Sequence, residues 1–214
     1  MKKSPQKGLE AALLKAPVVP VMVIDELKDA VPLARALVKG GLPVLEITLR
    51  TDAALECIKA IIAEVEGAIV GSGTVLTPKQ LRQSQKLGCV FAVSPGATGK
   101  LLSAAEDEDI SLLPGAATAS EAMALLEWGY GLQKFFPAEA AGGAAYLSSL
   151  SSPLPQIKFC PTGGITPALA PQYLKLANVI TLGGSWMAPK ELVKGGKWGE
   201  IEKLARSAAD LAGK

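Results

Sequence analysis

The side chains best suited to chemistry sit in two apolar stretches, VLEITLR at residues 44–50 and LQKFFPA at 132–138. At the two-residue period of a strand, Leu45, Ile47 and Leu49 share one face of the first stretch, and Val44, Glu46, Thr48 and Arg50 share the other. The same parity sets Lys134 and Phe136 opposite Gln133 and Phe135. A buried carboxylate costs on the order of several kcal/mol unless it is paired. Arg50 lies about 13 Å from Glu46 along an extended strand, too far for an easy pair, so Lys134 becomes the candidate partner. Burial of a lysine in apolar surroundings disfavours its ammonium form, and the neutral amine can attack a ketone to form a Schiff base. Two other readings stay open: a structural ion pair between Glu46 and Lys134, or a lysine that reaches out at a strand end.

Two glycine pairs add a second kind of chemistry. PTGGITP at 161–167 contains Gly163 and Gly164, and LGGSW at 182–186 contains Gly183 and Gly184, followed by Ser185. Glycine lets backbone N–H groups approach an anion closely. A glycine after a strand is usually only a turn, but two pairs after the last two strands of the chain point to a phosphate site.

Composition limits what this chemistry can be. The 214 residues include no histidine, so the commonest general base is missing, and catalysis must run on carboxylates, lysine or hydroxyls. A net charge of +2 with 5% aromatic residues gives neither a phosphate-tracking stripe nor a stacking surface for nucleic acid. No apolar run is long enough to span a bilayer, and Glu10 and Lys15 interrupt what would have to be a signal peptide's apolar core. Residues 1–16 read instead as a frayed N-terminal helical extension. Cys57, Cys89 and Cys160 are odd in number and form no CxxC, which fits a reducing cytoplasm better than disulfides or a zinc site. Asp25, Glu26 and Asp52 could supply oxygen ligands to a divalent metal, but their position at helix starts favours capping. No metal and no cofactor are expected.

These groups need a scaffold, and the hydrophobic pattern supplies one. Eight apolar runs begin at roughly 17, 44, 68, 89, 110, 132, 157 and 178, with amphipathic segments between them. Thr77-Pro78 and Thr166-Pro167 read as helix starts, and Gly41 and Gly88 as helix ends. Alternating strands and helices imply parallel strands, and eight units predict an α/β chain folded as one compact (β/α)8 TIM barrel over residues 1–214. The rival is an open doubly wound sheet. Its dinucleotide fingerprint is missing, because GSGT at 71–74 lacks the third glycine and reads as a turn. In a barrel, Leu45, Ile47 and Leu49 face helices, while Glu46, Thr48 and Arg50 point inward toward the C-terminal mouth.

The order PVVPV, LEITLR, GSGTVL, SPGAT, LLPG, KFFPAE, FCPTGGI and GGSW resembles the 2-keto-3-deoxy-6-phosphogluconate aldolases, including those that also act on 4-hydroxy-2-oxoglutarate. The resemblance runs over nearly the whole chain. It implies a class I aldolase of the Entner–Doudoroff route that releases pyruvate and glyceraldehyde 3-phosphate, with Lys134 as the Schiff-base lysine and Glu46 as the general acid/base. It further implies that Arg50 and Thr74 hold the pyruvate-like end of the substrate, that Pro95 and Phe136 line the pocket, and that Thr162 contacts substrate. Gly163, Gly164 and Ser185, with Gly184 of the second glycine pair, would bind phosphate. A cytoplasmic homotrimer is also implied. Ala141 and Ala116-Ala117 depart from the family's usual forms and bear on substrate breadth.

Three function classes follow: a metal-independent Schiff-base aldolase, for the gluconate-derived substrate or its galactonate epimer; a metal-dependent aldolase or decarboxylase, disfavoured by the lack of histidine; and a non-catalytic phosphate-binding barrel, opposed by the KFFP lysine. Three residues near the motifs receive milder readings. Glu139 is taken as a solvated loop carboxylate, Cys160 as a small buried hydrophobe and Trp186 as a ring packed under the last helix.

Overall fold

Parallel strands alternate with helices throughout the computed structural model, which describes residue 6 and residues 8–213. The strands are β1 (Val18–Met22), β2 (Val44–Thr48), β3 (Ile69–Gly73), β4 (Phe91–Val93), β5 (Ser111–Leu113), β6 (Gly115–Ala116), β7 (Leu132–Phe135), β8 (Lys158–Pro161) and β9 (Leu182–Gly184). They form a six-stranded sheet in the order β5-β4-β3-β2-β1-β9 and a three-stranded sheet in the order β6-β7-β8. All pairings within them are parallel.

Each expected apolar run contains strand, and the fifth contains two. Pro114 divides that run: proline has no N–H to give to a ladder. Its carbonyl instead accepts from Lys134 N at 2.9 Å, while Leu113 O accepts from Ser94 N at 3.2 Å. The segment 111–116 therefore serves one sheet with its first half and the other with its second. Isolated parallel bridges, Phe159 with Val179 and Thr162 with Gly183, link the far edge of the small sheet to the last strand region. The two sheets curl toward a shared interior, since the side chains of Glu46 on β2 and Lys134 on β7 meet although their strands belong to different sheets.

Helices cover the outside with their apolar stripes inward. The helix Leu27–Lys39 buries Ala30, Leu33, Ala34 and Leu37, spaced by three and four as a core-facing stripe requires. The helix Pro78–Leu87 starts at a Thr77–Gln80 capping box and ends at Gly88, as its sequence punctuation predicts. The other Thr-Pro signal misleads. Thr166-Pro167 opens a turn, and the helix Ala170–Leu174 begins four residues after Thr166, with Pro171 in its first turn.

Two further expectations are corrected. The GSG of GSGT is not a turn but the end of β3, and only Thr74 beyond it leaves extended geometry, at φ 57°. The described part of the N-terminal extension is not frayed either: the helix Leu9–Leu13 buries Leu9, Ala12 and Leu13. Gln6 accepts from Leu132 N at 2.8 Å and donates to Leu112 O at 3.0 Å, a polar plug between β5 and β7 where those strands are not paired with each other. The rest of that extension, residues 1–5 and 7, lies outside the described residues. Among the described residues, no helix is long and apolar enough to cross a membrane.

Candidate active site

Register decides what meets what in the interior. Glu46 pairs with Val21 of β1 and Gly71 of β3, and Lys134 pairs with Gly115 of β6 and Cys160 of β8. Paired residues of parallel neighbours point the same way, so these positions line one enclosed surface. The opposite parity faces the helices. Gln133 donates to Ala122 O and Tyr130 O, both at 2.9 Å, and the Phe135 ring stacks on Tyr146 at 5.8 Å between centroids.

Across the interior, Lys134 Nζ lies 3.4 Å from Glu46 Oε1, and each residue is only 3% exposed. The Phe136 ring, centred 5.3 Å from Nζ, adds a cation–π contact on one side. Room for the carboxylate comes from Gly73, where an added Cβ would collide with the Glu46 side chain. Thr48, next inward from Glu46, is fully buried and donates to Met22 O at 2.8 Å, so it ties β2 to β1. Cys160 is also buried beside the pair. Burial pushes its thiol up to about 12, leaving it a packing group.

The remaining site candidates lie at the C-terminal ends of the strands. Arg50, exposed just beyond β2, donates through Nε to Thr74 Oγ1 at 2.9 Å. One edge of its guanidinium is thereby oriented while its other donors remain for an anion. Pro95 follows β4, half-buried, with its carbonyl against Gly115, the residue in register with Lys134. Thr162 is buried beside Gly183, and its hydroxyl has a long bond of 3.4 Å to Cys160 O.

The glycine pairs lie at the ends of β8 and β9. Gly163 and Gly164 both have positive φ, 106° and 79°, which a residue with a side chain adopts only under strain. Gly163 packs against the Phe136 ring, which links the glycine loop to the lysine strand. Among the described residues, neither the Gly163 nor the Gly164 amide has a protein acceptor. Gly184 is buried and Ser185 exposed, so the end of β9 opens to solvent at the serine. The Trp186 ring lies against Gly184 and is partly buried against the core.

Other carboxylates do different work from that expected. Asp25 pairs with Lys190 at 2.9 Å and Glu26 with Lys28 at 2.6 Å; the Glu26 side chain caps nothing, and the helix following Asp52 also lacks a side-chain cap. Sequence reasoning placed Thr48 on the inward face without a role and missed Gly73 as part of the site. Their signal was present in their parity with Glu46 and in the register of β3, but only the partner strand gives it meaning. An enclosed amine and carboxylate in contact can form and protonate an imine on a carbonyl compound.

A family model for KDPG and KHG aldolases matches residues 9–204. The chain belongs to this aldolase family. The 2-dehydro-3-deoxy-phosphogluconate aldolase of Pseudoalteromonas atlantica is 51% identical over 194 residues, covering 91% of this chain and 90% of that one. Among solved structures, a KDPG aldolase from Legionella pneumophila with pyruvate captured as a covalent carbinolamine superposes with a TM-score of 0.92 at 44% identity, covering 98% of this chain and all of the other. That of Zymomonas mobilis with 3-phosphoglycerate gives 0.90 at 48% identity, covering 95% and 96%. As members of this family are aldolases, the chain is a carbon–carbon lyase.

Proposed function

We propose that this chain is a Schiff-base aldolase that cleaves 2-keto-3-deoxy-6-phosphogluconate to pyruvate and glyceraldehyde 3-phosphate. The observation that carries the proposal is the buried contact of 3.4 Å between Lys134 Nζ and Glu46 Oε1, in a chain without histidine. Pyruvate captured as a carbinolamine in the Legionella relative supports it. Cleavage of 4-hydroxy-2-oxoglutarate to pyruvate and glyoxylate is a second activity of the same site, supported by the family's description.

The residues divide the reaction as follows. The Lys134 amine attacks the C2 ketone, and the carbinolamine loses water as Glu46 delivers and withdraws protons, leaving a protonated imine. Glu46 then takes the proton of the C4 hydroxyl. The C3–C4 bond breaks, its electron pair flows into the imine, and the aldehyde departs. Glu46 returns the proton to C3 of the enamine, and water releases pyruvate and the free lysine. One carboxylate acting as base and then acid returns the same proton to the substrate. Arg50, set by Thr74, binds the C1 carboxylate with charge-assisted hydrogen bonds. Pro95, Phe136 and Thr162 bound the carbon chain, and the amides of Gly163, Gly164 and Gly184 with the Ser185 hydroxyl take the phosphate. The Zymomonas relative's 3-phosphoglycerate supports an anion site of this kind.

The scaffold proposed for this chemistry is one closed (β/α)8 barrel spanning the chain. The segment 111–116 shared by the two sheets, the Gln6 plug and the Thr162–Gly183 bridge support closure. A homotrimer in the cytoplasm completes the reading, resting on the family resemblance and on three buried, unbridged thiols. The test is pyruvate release measured in a coupled assay with a chelator present, using the gluconate-derived acid, its galactonate epimer and hydroxyketoglutarate. Equal amounts of pyruvate and glyceraldehyde 3-phosphate from the first are expected. Failure to cleave any of the three, or full loss of activity on chelation, contradicts the proposal.

A further inference from the structure

Glu139 ends the KFFPAE stretch and has no part in the chemistry above, and Tyr173 lies on the short helix Ala170–Leu174 that follows the glycine loop. The two meet, with the Tyr173 hydroxyl donating to Glu139 Oε1. Tyr173 is only 1% exposed, so without this acceptor its hydroxyl would be a buried donor deprived of its bond. Burial first, and the Glu139 bond second, raise the phenol's pKa and keep it a donor at any working pH.

The pair brackets the loop proposed to hold phosphate. Ala138 N donates to Thr162 O at 2.8 Å and Glu139 N to Gly163 O at 3.0 Å, so the turn after β7 continues the strand pairing into the loop and fixes its peptide planes. The Glu139 side chain forms the wall behind Gly164: a Cβ added there would lie 2.8 Å from Glu139 Cβ. Gly143 closes the other side, its added Cβ falling 3.4 Å from Glu139 Oε1 and 3.6 Å from the Tyr173 hydroxyl. A carboxylate free to swing beside an anion site would repel its ligand. Held against Tyr173, it becomes part of the frame.

Building on the proposed phosphate site, we propose that the Glu139–Tyr173 hydrogen bond is a latch that positions the Gly163–Gly164 loop and so sets the preference for phosphorylated over unphosphorylated keto acids. Both are positioning residues that act through the loop amides. The experiment is steady-state kinetics of wild type, Tyr173→Phe, Glu139→Ala, their double variant and Glu139→Gln, with 2-keto-3-deoxy-6-phosphogluconate and with unphosphorylated 2-keto-3-deoxygluconate. Tyr173→Phe and Glu139→Ala are each expected to raise KM for the phosphorylated acid by about tenfold, the scale of one hydrogen bond to a charged group, with kcat within about twofold. The unphosphorylated acid should be cleaved unchanged, the double variant should be no worse than either single one, and Glu139→Gln should recover most of the preference because its amide oxygen still accepts. Equal losses on both substrates, additive losses, or a preference unchanged in every variant would overturn the latch. A wild type with no preference for the phosphorylated acid would overturn the phosphate site itself, and with it the latch.

Discussion

The two walls of this site are built from different materials. On the β2 and β7 side, a lysine and a glutamate side chain meet in the buried interior, and their identities are the chemistry proposed. On the side of β8 and β9, the groups proposed to bind phosphate are backbone amides, and the residues matter chiefly because they lack side chains. A buried ion pair is intolerant of losing either member, since the survivor is left charged and unsolvated. A backbone cradle is tolerant of composition but intolerant of a misplaced Cβ or a shifted peptide plane. The first wall should therefore govern kcat and stability, and the second KM.

Substitution of Lys134 gives the sharpest break. Lys134→Met should lower kcat by at least roughly 10,000-fold, as removal of a covalent nucleophile does. It should also destabilise the fold by about 3 to 5 kcal/mol by stranding Glu46, and Lys134→Met combined with Glu46→Leu should regain most of that loss in a denaturant titration. Glu46→Gln should lower kcat by about 100- to 10,000-fold while pyruvate still binds, measurable by single-turnover kinetics. Gly73→Ala should follow, with kcat reduced by roughly 100-fold as the new methyl displaces the carboxyl from Lys134, and with KM changed far less. On the second wall, Gly164→Ala meets both a φ of 79° and the Glu139 side chain; it should raise KM for the phosphorylated acid by about tenfold and leave kcat near wild type. The smallest effect is expected at Cys160. Its thiol is pushed up to about 12 by burial, so iodoacetamide at pH 8 should leave it unmodified and activity intact, as peptide mapping can check. A KM effect from the first wall or a kcat effect from the second would blur the division.

The same division governs what could be read from sequence. Strand parity grouped Glu46 with Thr48 and Arg50, and Lys134 with Phe136, and the cost of burying a carboxylate without a partner pointed to Lys134 as the group facing Glu46. Parity also sorted Gln133 and Phe135 to the helix side, where they bond and stack. Glycines were harder. GSGT reads locally as a turn, yet Gly71 and Gly73 lie in β3 because the Phe91 ring and the Glu46 side chain occupy the space a Cβ would need. Those constraints sit on other strands and leave no local mark. Thr166-Pro167 carried a valid helix-start signal that the chain spends on a turn, because the helix begins only at Ala170. Glu139 is exposed, as its reading as a solvated loop carboxylate has it, but its partner, Tyr173, lies 34 residues away and left no mark in the stretch. Pro114 was visible, but not that it would divide one run between two sheets.

The measurement that tests the central claim most directly is the intact mass of the protein after incubation with pyruvate and borohydride, followed by peptide mapping. One reduced pyruvyl adduct per chain is expected, on Lys134, absent from Lys134→Met and from samples without pyruvate. A folded wild-type protein that gains no adduct, or gains it on another lysine, would contradict the Schiff-base assignment and leave Lys134 and Glu46 as a structural pair.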